Sequence, residues 1–183
     1  MNNGAECYSR FLSGDKKAIE EIIRDYKDGL IFYLFSIVGD MQKSEELAID
    51  TFIILFTEQP KFKGEGAFKT WLYAIGRNIT AKHLRKHASF SIVPLESQEY
   101  LSDEENIESN YIKSEQKRAV HKALHSLKAE YRQVLYLSFF EGFSNEETAL
   151  IMKKSKRQIE TLLYNAKKAL RSELERSGFE YEE

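Results

Sequence analysis

Apolar residues recur at helical spacing along almost the whole chain, and no segment shows the sustained alternation expected of a strand. The first apolar face follows Asp15, a residue type that caps helices, and it comprises Ile19, Ile22, Ile23 and Tyr26. A second helix is predicted from about residue 28 to 38, and Gly39 supplies the residue type that ends helices in a left-handed conformation. The amino-terminal part of the chain is therefore predicted to begin with two helices.

Two longer helices are predicted next. Ser44 opens a helix that runs to about residue 58, because Pro60 cannot continue it. After the loop KFKGEGA, a helix is predicted over 68–87, and its buried side comprises Phe68, Leu72, Ile75 and Ile79. Residues 89–114 are acidic and show no sustained period, so they indicate a linker.

A second helical set is predicted after the linker. Its first helix starts near Glu115 and carries Val120 and Leu124, and the next spans about 129–141 and ends at Gly142. Two capping signatures follow: Ser144 precedes a Glu by three residues, and Ser155 precedes a Gln in the same way. A helix of about eight residues lies between them, and a longer basic helix continues to about residue 174. This order favours a helix-turn-helix over an ordinary helical hairpin.

Composition restricts the class of protein. The 183 residues are 42% hydrophobic, which suffices for real cores, and a single cysteine, Cys7, allows neither an internal disulfide nor a cysteine-based zinc site. The longest strongly apolar stretch, residues 30–38, is far below the roughly 20 residues that span a bilayer. The amino terminus has no signal-peptide pattern. We therefore expect a soluble, cytoplasmic, all-α protein.

The formal net charge of −2 hides an uneven distribution of charge. Seven basic residues stand against one acidic residue in 61–87, and again in 152–172, whereas 1–60, 88–116 and the tail after residue 172 are acidic. One charged run is often only a solvated helix face. Two such runs on apolar-periodic helices favour two polyanion-binding surfaces.

The second basic run has the chemistry of a recognition helix. Its polar face comprises Lys156, Arg157, Gln158, Glu160, Thr161, Tyr164 and Asn165, while Ile159, Leu163 and Ala166 are predicted to pack inward. Lys and Arg bind phosphate or guanine, Gln and Asn pair with adenine, and Glu accepts from cytosine. Lys168 lies farther along the helix, where we expect contacts to the DNA backbone.

The first basic run interleaves cations with aromatic rings, a combination that suits single-stranded nucleic acid. Core packing is the competing interpretation for each ring, most strongly for Phe68 and Trp71, and the two interpretations are about equal for Phe62 and Tyr73. In the preceding helix, the five consecutive apolar residues Phe52–Phe56 cover every side of the helix. Ile49 and Ile53 lie beside acidic residues on this helix, which suggests a protein-binding surface.

These segments resemble a known family. GAFKTWLYAIGRNITAKHLRK is similar to the promoter-melting helix of sigma-70-family factors of the extracytoplasmic-function (ECF) type, and SEELAIDTFIILF resembles the family's helix that binds core polymerase. ALHSLKAEYRQVLYLSFFEGFSNEETALIMKKSKRQIETLLYNAKKAL is similar to the family's carboxy-terminal DNA-binding domain. The resemblance extends over about residues 8–87 and 117–174, in the family's order.

The resemblance implies two small helical domains joined by a flexible acidic linker. Region 2 would span 1–88, the linker 89–116, region 4 with its helix-turn-helix 117–175, and an acidic tail 176–183. The implied protein is a sigma factor that directs RNA polymerase to promoters, melts the −10 element and reads the −35 element. Its implied partners are the β′ and β subunits of core RNA polymerase, promoter DNA in duplex and single-stranded form, and an anti-sigma factor. No small-molecule substrate or cofactor is expected.

Site residues follow from the same resemblance. Predicted contacts to the −10 element are made by Lys61, Phe62, Lys63, Lys69, Tyr73, Arg77, Asn78, Lys82, Arg85 and Lys86. Predicted contacts to the −35 element are made by Ser155, Lys156, Arg157, Gln158, Glu160, Thr161, Tyr164, Asn165 and Lys168. Polymerase is expected to bind Glu45, Glu46, Ile49, Asp50 and Ile53.

This chain departs from the family at four of the aligned positions. Ile49 stands where a glutamine is usual, and Lys153 stands where the turn usually has a glycine. Glu160 and Leu162 occupy positions that are often basic, which suggests an unusual −35 preference.

Two other classes of protein remain as alternatives. A stand-alone helix-turn-helix regulator would bind its site without polymerase. An all-helical enzyme would need a catalytic set of residues, and neither a nucleophile–base set nor a phosphate-cradling loop is present. The His121/His125 pair has helical spacing, but no further ligand accompanies it, so no metal site is predicted.

Overall fold

The computed structural model describes residues 3–64, 66–87 and 120–177 of the 183-residue chain. Within these residues the regular elements are all helices, which confirms the all-α prediction. They are α1 (Asn3–Leu12), α2 (Lys17–Val38), α3 (Met41–Thr57), α4 (Phe68–His87), α5 (120–126), α6 (Ala129–Leu135), a π-helical segment (Tyr136–Phe140), α7 (Asn145–Met152) and α8 (Lys156–Arg176). The predicted linker at 89–116 and nearly all of the tail at 176–183 lie outside the described residues.

The amino-terminal helices differ from the sequence prediction. Helix α1 was not predicted, and the two helices expected between residues 15 and 38 form one continuous helix, α2. Its apolar face continues through Leu30 and Leu34, which are both fully buried. The packing of these side chains outweighs the cost of having Gly29 in the interior of the helix. Asp15 does not hold the N-cap position, but its carboxylate accepts a hydrogen bond from the backbone N–H of Lys17 at 3.0 Å.

The hairpin of α2 and α3 turns at Gly39, whose φ of 78° confirms the predicted left-handed cap. Helix α3 starts earlier than predicted. Asp40 is its N-cap and accepts from the N–H of Lys43 at 2.7 Å. Ser44 is instead buried within the first turn and donates to the Asp40 carbonyl at 2.5 Å. The helix ends at Thr57, as Pro60 requires.

An aromatic cluster closes one end of the first unit, which we define as α1–α4. The rings of Tyr8, Phe62, Phe68 and Trp71 lie 5.1–5.7 Å apart in successive pairs, and Tyr8 donates to the Pro60 carbonyl at 2.8 Å. The loop before α4 is therefore anchored to α1 through its backbone and to α4 through Phe62.

The second unit, which we define as α5–α8, contains the predicted helix-turn-helix. Both capping boxes are present, at Ser144 before α7 and at Ser155 before α8. The predicted helix over 129–141 changes to π-helical geometry at Tyr136, where the backbone N–H of Glu141 donates to the Tyr136 carbonyl at 3.2 Å. Gly142 then ends it with a φ of 69°.

The two units contact each other directly. Helix α4 packs on α7, and α2 packs on α6 and the π segment. The ring of Tyr33 stacks on Tyr73 at 5.4 Å and on Tyr136 at 6.5 Å. Arg132 donates to the carbonyl of Ser36 at 3.0 Å, which ties α6 to the end of α2.

Candidate nucleic-acid interface

The polar face of α8 is open to solvent. All the residues predicted to bind the −35 element are exposed, and Tyr164 is 70% exposed. On the opposite side, Ile159 and Ala166 are fully buried and Leu163 is half-buried, so the predicted inward face is confirmed. A shallow groove along this helix is lined by Lys154, Ser155, Arg157, Gln158, Thr161, Leu162 and Asn165.

The capping box restricts what Gln158 can recognise. Its Oε1 accepts from the backbone N–H of Ser155 at 2.7 Å, and the Ser155 hydroxyl accepts from the Gln158 N–H at 3.2 Å. Two-point recognition of adenine uses both the oxygen and the nitrogen of the amide. The oxygen of the Gln158 amide is already bonded to Ser155, so only its nitrogen is available to a base. Asn165 is therefore better placed than Gln158 for a two-point contact with adenine.

Ion pairs join the turn and the start of α8 to the preceding helices. Lys156 pairs with Glu146 on α7, and Lys154 lies 2.9 Å from Glu130 on α6. The hydrogen bond with Lys156 lowers the pKa of Glu146, and the same bond raises the pKa of Lys156. A phosphate that binds Lys156 therefore competes with Glu146.

Lys153 takes the left-handed position of the turn. Its φ is 54° and its ψ is 47°, and its N–H donates back to the Ala149 carbonyl. This is the conformation for which glycine is the usual residue. Lys153 therefore takes the backbone conformation that the usual glycine favours.

Most of the residues predicted to bind the −10 element also reach solvent. Lys61, Lys63, Asn78, Lys82, Arg85 and Lys86 are exposed on the loop before α4 and along α4 itself. Arg77 is half-buried, and its Nε is a buried donor to which no hydrogen-bond acceptor is assigned. Phe62 is half-buried in the aromatic cluster, where its ring lies 5.1 Å from that of Trp71.

Lys69 and Tyr73 are placed differently from the other members of this set. Tyr73 is fully buried, and Lys69 forms an ion pair with Glu141 of the second unit at 2.7 Å. Tyr73 therefore presents no ring to a base in this conformation, because Glu141 and Phe143 of the second unit pack against it. Its assignment to DNA binding stays a prediction that requires the two units to separate.

The predicted polymerase-binding residues lie together on α3. Glu45, Glu46, Ile49, Asp50 and Ile53 are all exposed, at spacings that place them on one side of the helix. Ile49 is 56% exposed and Ile53 is 51% exposed, whereas Phe52 and Leu55 are buried in the core. Two apolar side chains with an acidic rim are therefore available to a partner.

Sequence reasoning missed the residues that join the two units. Glu141 accepts hydrogen bonds from Tyr73 at 2.8 Å and from Tyr136 at 3.0 Å, and Thr70 donates to Glu147 at 3.1 Å. Glu141 follows Lys69 by 72 positions, so no local periodicity connects the two. In the sequence, Glu141 is an acidic residue in a turn between apolar helices, and this pattern alone indicates an ordinary solvated side chain.

No group of three or more potential metal ligands occurs within residues 3–64, 66–87 and 120–177. In the same part of the chain, none of the helices is long and apolar enough to cross a membrane.

An all-helical protein with a capped helix-turn-helix, a polar recognition face and a second basic helix defines a class of DNA-binding protein. Comparison with known proteins then identifies the family. Residues 22–90 match Sigma-70 region 2, and residues 117–170 match Sigma-70 region 4, which together cover more than half of the chain. The chain belongs to the sigma-70 family and is a sigma factor of the ECF type, the subunit that binds core RNA polymerase and directs it to promoters. The matching families are transcription initiation factors, not families of enzymes.

Relatives agree with this assignment, and a solved structure has a similar fold. The chain is 28% identical over 174 residues to the RNA polymerase sigma-H factor of Pseudomonas aeruginosa, with 90% of each chain covered. It is 26% identical over 160 residues to the ECF RNA polymerase sigma factor SigX of Bacillus subtilis, covering 82% of this chain and 80% of the relative. The fold is similar to that of the sigma factor RpoE of Bartonella quintana, solved with the anti-sigma factor NepR, with a TM-score of 0.66 and 22% identity over 87% of this chain and 98% of that one.

Proposed function

We propose that this sigma factor uses three separate surfaces: the exposed face of α3 for the polymerase β′ subunit, the loop at 61–68 with α4 for the −10 element, and α8 for the −35 element. The observation that carries the proposal is the capped helix-turn-helix. Every residue predicted to contact the −35 element lies on the open side of its second helix. Region 2 would span 1–88 and region 4 would span 117–175, with the acidic linker between them.

The direct test is transcription in vitro with core RNA polymerase, this chain and a library of promoter sequences. Sequencing the transcripts identifies the start sites, and the aligned upstream DNA gives the −10 and −35 preferences. We expect starts that depend on the added chain. A gel shift without core enzyme tests the alternative. Tight, specific binding of promoter DNA by the chain alone would indicate a stand-alone regulator and contradict the proposal.

The α3 surface is tested separately by binding to core enzyme. We expect Ile53→Ala to weaken the affinity for core polymerase about tenfold, which corresponds to about 1.4 kcal/mol. Leu12→Ala is the matched control, because Leu12 is an exposed apolar residue of α1, 48% exposed, outside the proposed surface. Equal affinities for the two variants would place the polymerase contact elsewhere.

Further features of this function follow from the family. The chain would act in the cytoplasm, where polymerase and chromosome are, and would perform no catalysis of its own. The Bartonella relative was solved with an anti-sigma factor, and we propose that a partner of that class controls this chain as well.

A further inference from the structure

A largely buried carboxylate joins the two units of this protein. The side chain of Glu141 is only 10% exposed, and Lys69 of α4 lies 2.7 Å from its Oε2. The hydroxyl of Tyr73 donates to Oε2 at 2.8 Å, and that of Tyr136 donates to Oε1 at 3.0 Å. Lys69 also donates to the Glu141 backbone carbonyl at 3.1 Å. The carboxylate is thus surrounded by donors from both units.

This degree of burial requires the partners to stay in place. A carboxylate removed from water is tolerated when a cation and hydrogen bonds compensate it, and both are present here. Burial raises the pKa of Tyr73, as does the adjacent Glu141, so its hydroxyl keeps the proton that it donates. Lys69, Tyr73 and Tyr136 therefore all face the carboxylate of Glu141 as donors.

The backbone of α2 is shaped for the same contact. A Cβ at Gly29 would lie 2.4 Å from the Tyr73 hydroxyl oxygen and 2.8 Å from Oε1 of Glu141. No side chain fits at these distances without displacing one of the two groups. Gly29 therefore allows the three elements to approach, which explains a glycine in the interior of a long helix.

Two of the three side chains that donate to Glu141 belong to the surface proposed to bind the −10 element. Lys69 and Tyr73 are two of its residues, and Thr70 beside them donates to Glu147 of the second unit at 3.1 Å. Carboxylates and phosphates are bound by the same cationic and hydroxyl donors. Two carboxylates of region 4 thus occupy donors that a DNA phosphate would otherwise bind.

We propose that Glu141 acts as an internal substitute for a DNA phosphate and holds the free chain in a closed, inhibited arrangement, with region 4 covering part of the −10-binding surface. This inference rests on the proposed role of α4. Release of Glu141 from Lys69 and Tyr73 opens the chain, and any partner that binds only the open arrangement shifts the population toward it.

The test compares two variants of the full chain that each lose one negative charge. Glu141→Gln removes the buried charge, whereas Glu130→Gln removes a 57% exposed charge of the same unit that faces Lys154 and not α4. Small-angle scattering of the free chain gives the radius of gyration. Fluorescence anisotropy with a 12-nucleotide, mixed-sequence single-stranded DNA gives the affinity, and circular dichroism verifies the helical content.

We expect Glu141→Gln to increase the radius of gyration and to bind the single strand about five- to tenfold more tightly than Glu130→Gln. Gly29→Ala should give the same two changes without altering the charge, because its methyl group displaces Tyr73 and Glu141. If neither variant expands the chain relative to Glu130→Gln, the closed arrangement does not depend on this contact and the proposal is overturned.

The same experiment separates this inference from the proposed function of α4. Expansion without tighter DNA binding would contradict the assignment of α4 to DNA and would also overturn the inhibitory role of Glu141. Unchanged dimensions, together with promoter-dependent transcription by the wild-type chain and core enzyme, would overturn the inhibitory contact alone.

Discussion

Lys153 adopts an unfavourable, left-handed backbone conformation in the turn of the helix-turn-helix. The left-handed conformation costs a residue with a Cβ roughly 1–2 kcal/mol, and glycine avoids this cost. Lys153 lies between α7 and the recognition helix α8, so its conformation sets the geometry of the turn. The turn therefore keeps a left-handed residue although lysine is unfavourable there.

Replacing Lys153 should reveal this cost. We expect Lys153→Gly to raise the free energy of unfolding by about 0.5–1 kcal/mol relative to Lys153→Ala, since both variants lose the charge but only glycine relieves the backbone. Urea unfolding followed by circular dichroism measures the difference. Equal stabilities would mean that the turn tolerates a Cβ without strain.

Arg132 makes a second prediction at the scale of the residue. Its guanidinium donates to three backbone carbonyls, of Ser36 at 3.0 Å, His125 at 3.0 Å and Leu127 at 2.6 Å, and its burial lowers its pKa. We expect Arg132→Gln to lower the free energy of unfolding by about 2 kcal/mol, because buried acceptors lose their donor. Arg24→Gln, at a side chain that is 71% exposed, is the control and should have little effect.

At the scale of the element, α7 is stabilised from two directions. Its first turn is closed by the capping box of Ser144 and Glu147, and the same Glu147 carboxylate accepts from Thr70 of α4. Burial raises the pKa of Glu147, but the hydrogen bonds from Ser144 and Thr70 outweigh it, so the pKa of the folded chain is lowered. One side chain thus both starts a helix and joins two units.

The lowered pKa of Glu147 predicts a pH-dependent contribution. The ionised carboxylate adds stability above its pKa in the unfolded chain, and this stability is lost as the pH falls through its pKa in the folded chain. We expect wild type to be more stable than Glu147→Gln by about 0.5 kcal/mol at neutral pH, with the difference vanishing in acid. Thermal unfolding at several pH values measures it, with Glu45→Gln as the control. A pH-independent difference would contradict the prediction.

At the scale of the whole molecule, the net charge of −2 divides into basic helices and acidic surroundings. Binding to DNA should therefore depend on salt through the individual cations of α4 and α8 and not through the net charge. The two helices are proposed to contact different forms of DNA, and each form has its own salt dependence.

The salt dependence of promoter binding by the complex with core polymerase tests this division. We expect Lys168→Ala to reduce the magnitude of the log–log salt slope by about 0.9, the duplex value, and Lys82→Ala to reduce it by about 0.7, the single-strand value. Lys17→Ala, at an exposed lysine of α2, should leave the slope unchanged. A change at Lys17 as large as that at Lys168 would show that the net charge governs binding.

The sequence by itself determined the all-helical class, the two basic helices, the helix-turn-helix and the caps at Gly39, Ser144 and Ser155, because helical period and capping depend on residues within a few positions of one another. It did not determine that α2 continues through Gly29, since that depends on packing against α4 and the π segment. The placement of Tyr73 and the contacts of Glu141 were decided by tertiary structure alone: a carboxylate in a turn becomes a partner of Lys69 only when distant segments of the chain meet.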